Sequence, residues 1–91
     1  MQLTVNGLCC RAATGGGVFD PAALAPPPLL LIHGAANDRD CWQKVAGGLS
    51  AAGCAVLAPD LPGHGLSAGP PLRSIAALAD WLAALLDAAG V

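Results

Sequence analysis

Leu29-Leu30-Leu31-Ile32-His33-Gly34-Ala35-Ala36-Asn37-Asp38 and, one helix-length segment later, Ala58-Pro59-Asp60-Leu61-Pro62-Gly63-His64-Gly65-Leu66-Ser67 decide the fold. The first stretch is an apolar run, Leu29 to His33, that ends in His-Gly, which predicts a buried strand delivering a flexible loop at its C-terminal end. The second closes another apolar run, Cys54 to Ala58, with Asp60 and a Pro/Gly-rich loop. Between them, Asp40 is placed to N-cap a helix beginning at Cys41, with Gln43 at the third helical position completing a capping box. Trp42, Val45 and Leu49 fall at i, i+3 and i+7 and predict its buried face, and Gly53 is placed to end it. Gly47 and Gly48 weaken that helix by about 1 kcal/mol each relative to alanine.

Working outward, Gln2–Val5 and Leu8–Thr14 flank Asn6-Gly7, a pair whose tolerance of positive φ at both positions suits a type I′ turn and predicts an antiparallel edge hairpin. Gly15-Gly16-Gly17 and residues 20–28 read as loop, with one helical turn expected at Pro21 to Leu24. A last helix is expected after Ser74 as N-cap. Ile75, Leu78, Leu82, Leu85 and Leu86 form its buried face, Asp80 and Asp87 lie outside, Gly90 ends it, and Val91 begins a further strand. Strand, helix, strand and helix in alternation, with continuous apolar strands, predict an α/β protein with a parallel sheet covered on both faces. No internal repeat is present.

Ninety-one residues make at most one small domain, and a chain of that size buries only about 60 to 65% of its unfolded surface. Its composition does not suit that size: 55% of the residues are hydrophobic and 11% charged, against roughly 25% charged in ordinary domains. It reads as part of a larger body. The net charge of −2 and the scattered cations Arg11, Arg39, Lys44 and Arg73 form no basic patch, so neither nucleic acid nor a membrane is expected as partner. The start of the chain has no basic segment before an apolar one, and residues 22–32 are short and interrupted by Pro26, Pro27 and Pro28, which leaves a cytoplasmic location as the expectation. Cys9, Cys10, Cys41 and Cys54 have no C-x-x-C spacing and there are only two histidines, so the cysteines are expected to be reduced and structural and no metal site is expected.

The two opening stretches, at their observed separation, resemble the α/β-hydrolase family. The resemblance covers residues 29–91 well and the hairpin by topology only. It implies a partial α/β-hydrolase sheet: an N-terminal hairpin plus two parallel strands, flanked by two helices, with strand order 1-2-4-3. It also implies that the backbone N–H of Ala35 is one oxyanion-hole donor, with Gly34 permitting the turn, and that His33, Asp60, Gly63 and Gly65 organise loops. In this family the catalytic histidine follows the nucleophile and the acid in chain order, so His33 and His64 precede the place where a general base is expected.

Gly65-Leu66-Ser67-Ala68-Gly69 matches the nucleophile pattern Gly-x-Ser-x-Gly letter for letter. A nucleophile elbow needs an apolar strand running directly into the first glycine and a helix starting at the serine. Here Pro62-Gly63-His64 precede the pattern and Pro70-Pro71 follow it, so Ser67 is expected within a loop and none of the triad is expected in these residues. Gly63 to Ala68 also matches the dinucleotide fingerprint G-x-G-x-x-A, but the same prolines displace the helix start that the fingerprint needs.

The reading is therefore residues 1–91 as the N-terminal part of an α/β-hydrolase domain, truncated before the elbow. The full-length form would act on an ester or similar small acyl substrate without metal or cofactor, and the chain as given would be inactive. A fifth strand and Gly-x-Ser-x-Gly are expected within roughly 15 residues after Val91. Two other classes stand beside it: a non-catalytic interaction module or mis-called gene fragment, and a nucleotide-binding oxidoreductase. Alone, the chain is expected to self-associate through the bare edge of its Leu29 to His33 strand.

Overall fold

A computed structural model describes residues 1–17, 19–20, 28–34 and 42–91. The elements in chain order are strands β1 (Gln2–Val5), β2 (Leu8–Ala13) and β3 (Leu29–Leu30), helix α1 (Gln43–Ala51), strand β4 (Val56–Pro59) and helix α2 (Ile75–Ala88). The four strands form one sheet in the order β1-β2-β4-β3. β1 and β2 pair antiparallel, β2 pairs antiparallel with β4, and β3 pairs parallel with β4, with Leu29 opposite Val56 and Leu30 opposite Leu57. This is the strand order that the resemblance implies, with two flanking helices.

The hairpin forms where its turn residues allow it. Asn6 has φ of 51° and Gly7 of 80°, the positive pair that a two-residue turn with right-handed strand twist requires. β3 is shorter than expected: the ladder holds only Leu29–Leu30, and one further backbone bond, Leu31 N–H to Leu57 C=O at 2.9 Å, carries the chain toward His33. β4 begins two residues later than expected and runs to Pro59. All four of its residues are buried, as expected for a central strand covered on both faces.

Alternation along β4 and the residue before it sends Ala55 and Leu57 to one face, where they join Val5, Cys10, Ala12, Phe19, Trp81, Leu85 and Ala89 in the main core cluster. Val56 and Ala58, on the other face, are buried outside that cluster, as is Ala46 of α1, which lies against β4. Full burial of Leu57 and of Leu85 stabilises the fold by about 1.5 to 3 kcal/mol each.

Both helices end as the glycines predict. Gly53 N–H bonds to Ser50 C=O and Cys54 N–H to Leu49 C=O, while Gly90 N–H bonds to Asp87 C=O and Val91 N–H to Leu86 C=O. Each pair is a Schellman cap. Val91 thus takes part in the cap at the end of α2. At the other end of α2, Ser74 Oγ accepts the N–H of Ala77 at 3.0 Å, the expected N-cap.

The helix faces differ from the periodicity. In α1, Val45 is 49% exposed and Ala46 is the buried residue, because the turn at Gly15 comes so close that a Cβ there would collide with the Ala46 carbonyl. The helix starts at Gln43 with Trp42 as its N-cap and no side-chain cap; the expected cap Asp40 and first residue Cys41, like the turn at Pro21 to Leu24, lie outside the described residues. In α2 the buried side chains are Trp81 and Leu85, and Ile75, expected inside, is 82% exposed.

Candidate active site

The C-terminal ends of β3 and β4 lie side by side, the place where open α/β sheets bind ligands. A groove of about 500 Å³ opens there, walled by His33 and Gly34 after β3, by Leu61, Pro62 and His64 after β4, and by Leu72 to Ile75 and Leu78 at the start of α2. Leu61, Leu72, Ile75 and Leu78 make much of the wall apolar. The exposure of Ile75 is explained by this position: the first turn of α2 overhangs the groove instead of packing on the sheet.

His33 is only 3% exposed. The backbone N–H of Leu61 donates to its Nε2 at 2.9 Å, and its Nδ1 lies 2.7 Å from the carbonyl oxygen of Gly34. A backbone N–H only donates, so Nε2 carries the lone pair and Nδ1 the proton that it gives to Gly34. The imidazole is thereby neutral with both nitrogens occupied, which suits it to holding two loops together and leaves neither nitrogen to take a substrate proton. His64 stands beside it, ring centroids 5.1 Å apart and tilted by 56°, with Nδ1 at 3.0 Å from the Pro62 carbonyl.

Asp60 is fully buried at the end of β4. Its Oδ2 accepts the N–H of Leu66 at 2.9 Å, folding the loop back on itself. Gly65, with φ of 48°, lies against that carboxylate so closely that a Cβ would strike it, and Gly63, with φ of 72°, would place a Cβ 2.7 Å from the Pro71 ring. The expected loop-organising residues His33, Asp60, Gly63 and Gly65 are thus brought into one loop system. Gly34 lies on the groove, and Ala35, the expected oxyanion donor, is outside the described residues.

Ser67 is 8% exposed and lies in that loop, well before α2. Its hydroxyl donates to the Asp60 carbonyl at 2.6 Å and accepts the N–H of Arg11 at 3.0 Å. The backbone of Ala68, the third small residue of the dinucleotide-like pattern, donates to the Cys9 carbonyl, and the helix starts only at Ile75. Cys10, beneath this loop, is 1% exposed. Burial pushes its thiol up from the usual cysteine range and the nearby Asp60 and Cys9 add to the effect, against a lowering hydrogen bond from Ser67. Among the described residues no group of three His, Cys, Asp or Glu could hold a metal ion, and no helix is long and apolar enough to cross a membrane.

Sequence reading missed the groove's third wall. Arg73, Ile75 and Leu78 belong to it, and the signal lay in the Pro70-Pro71 segment, which delays α2 until its first turn reaches the strand ends.

The model of the alpha/beta hydrolase family matches residues 29–91. No curated protein matches at a significant level. Among solved structures, the chain is similar to a membrane phospholipase A described as a novel bacterial virulence factor, at 32% identity and a TM-score of 0.81 over 100% of this chain. It is also similar to a protein assigned as a lipase from Acinetobacter baumannii AYE, at 34% identity and a TM-score of 0.78 over 99% of this chain. The chain spans 28% of the length of each of them.

Proposed function

The chain belongs to the alpha/beta hydrolase family, and from that membership we propose that it serves as the N-terminal part of a serine-hydrolase-type domain cleaving a carboxylic ester or similar small acyl substrate. The observation that carries this reading is the grip of His33 on the Gly34 carbonyl at the rim of the groove. It orients the Gly34 carbonyl just after β3, which supports an oxyanion donor from the loop that follows, and one such preorganised donor contributes about 3 to 4 kcal/mol to acyl transfer.

In this reading the apolar wall of Leu61, Leu72, Ile75 and Leu78 receives the hydrocarbon part of the ester. The N–H of Ala35 is assigned the role of one oxyanion donor, as the family resemblance implies. Nucleophile, acid and catalytic histidine are supplied by sequence beyond residue 91, in keeping with the 28% of each lipase-like structure that this chain spans. The reaction needs no cofactor, the site is cytoplasmic, and residues 1–91 alone are inactive, because a nucleophile without base and orienting acid is not activated.

The test begins with the coding DNA after Val91, translated in all three frames. An apolar strand leading into Gly-x-Ser-x-Gly is expected, and the extended protein should hydrolyse p-nitrophenyl esters and take up a fluorophosphonate label at that serine. Residues 1–91 should do neither above a denatured-protein control. A stop followed only by non-coding sequence would favour the second reading, a non-catalytic interaction module, which rests on β3 being the end strand of the sheet.

A further inference from the structure

β4 stops pairing with β2 at Pro59, yet β2 continues to be bonded beyond that point. Asp60 N–H donates to the Arg11 carbonyl at 2.7 Å, and the next backbone donor on that side, the N–H of Arg11, goes to Ser67 Oγ at 3.0 Å. The same hydroxyl donates to the Asp60 carbonyl at 2.6 Å. One side chain thus takes the place of a strand, tying the outgoing end of the loop to β2 and to the loop's own first residue. The residue after Asp60 is Leu61, whose N–H holds His33 Nε2, and His33 in turn holds the Gly34 carbonyl. The chain of bonds thus runs from the Ser67 hydroxyl to the Gly34 carbonyl at the rim of the groove.

We propose that Ser67 is a positioning residue for the Gly34 carbonyl, acting through Asp60, Leu61 and His33. The serine in the Gly-x-Ser-x-Gly lookalike therefore contributes to acyl chemistry without touching the substrate: it keeps His33 as the Nδ1–H tautomer and the Gly34 carbonyl turned toward the imidazole. The proposal rests on the hydrolase reading only for what the Gly34 carbonyl is used for. The bond relay itself is a property of these 91 residues and is tested in them.

The experiment is carbethoxylation of the 91-residue chain by diethylpyrocarbonate at neutral pH, followed peptide by peptide by mass spectrometry, with amide exchange measured in parallel. In the wild type His64 should react and His33, with both nitrogens engaged, should be at least roughly tenfold slower. Ser67→Ala removes two hydrogen bonds, and loss of the one that runs to the Asp60 carbonyl should raise the His33 rate roughly fivefold through local opening. Exchange at Leu3 and Val5 in the hairpin should stay unchanged. Ser67→Thr, which keeps the hydroxyl, should restore protection. Ser67→Cys, similar in shape with a weaker donor, should fall between wild type and alanine, and it carries the test should the alanine variant fail to fold.

His33 as protected in the alanine or cysteine variant as in wild type overturns the relay. So does equal loosening in the threonine and alanine variants, which would make the contribution one of packing. A relay that holds while the extended protein hydrolyses no ester leaves this assignment of Ser67 standing and removes the hydrolase reading instead.

Discussion

Leu61 and His33, in loops that follow different strands, are joined by a 2.9 Å bond from the Leu61 N–H to Nε2. Because Nδ1 of the same ring serves Gly34, one buried imidazole couples the end of β3 to the end of β4. His33→Phe keeps an aromatic body of similar breadth and removes both bonds. It should destabilise the chain by about 2 kcal/mol, the cost of two lost hydrogen bonds, and hydrogen exchange at Leu61 should rise with it. Denaturant midpoints compared with His64→Phe, which should move far less, provide the check.

Gly65→Ala should cost at least ~2 kcal/mol, since the new methyl must displace the buried Asp60 carboxylate. The loop from Asp60 to Ser67 is where the damage should appear, as faster amide exchange at Leu66, whose bond to Asp60 Oδ2 is broken by the displacement.

Gly47→Ala and Gly48→Ala have the opposite sign. Both positions lie inside α1, and beyond the helix's own backbone nothing lies within 4 Å of an added Cβ, so each substitution should stabilise the chain by about 1 kcal/mol through helix propensity and reduced freedom of the unfolded chain. A denaturant midpoint that falls in either variant would contradict the open space at that position.

Cys10 gives the chain an alkaline sensitivity. Its thiol is held above the ordinary range by burial, so the folded state keeps the proton at pH values where the unfolded chain, titrating near about 8.5, has released it. That contribution is whole below about pH 8.5 and is lost as pH rises toward the folded value. The fall of stability with pH above about 8.5 should be shallower in Cys10→Ala than in wild type. Alkylation by iodoacetamide should reach Cys9 and Cys54, both partly exposed, before Cys10.

β3 ends the sheet with Leu29 37% exposed, and Leu29 and Leu30 share an apolar crevice with Phe19 and Leu86. An apolar, uncharged strand at the end of a sheet is a template for pairing with another copy. Concentrated chain is therefore expected to self-associate and to bind ANS. Leu29→Lys should lower both, as measured by sedimentation and dye fluorescence; unchanged association in that variant would move the contact elsewhere.

By itself the sequence determined what neighbours along the chain decide. Asn6-Gly7 specifies the hairpin because both residues accept positive φ. Ser74 caps α2 and Gly53 and Gly90 close the two helices because the groups they satisfy are within a turn of them. The apolar runs before His33 and Asp60 specify parallel strands, and it was their resemblance to the α/β-hydrolase family that implied the sheet order β1-β2-β4-β3. The tertiary structure decided everything that depends on what arrives from a distance. Val45 is exposed and Ala46 buried because a glycine turn some thirty residues earlier lies against α1. Ile75 is on the surface because the first turn of its helix overhangs a groove that periodicity cannot register. The roles of Ser67 and His33 rest on bonds spanning 56 and 28 residues, and a hydrogen bond needs distance and angle, which a one-dimensional string does not contain until the sheet has brought the partners together.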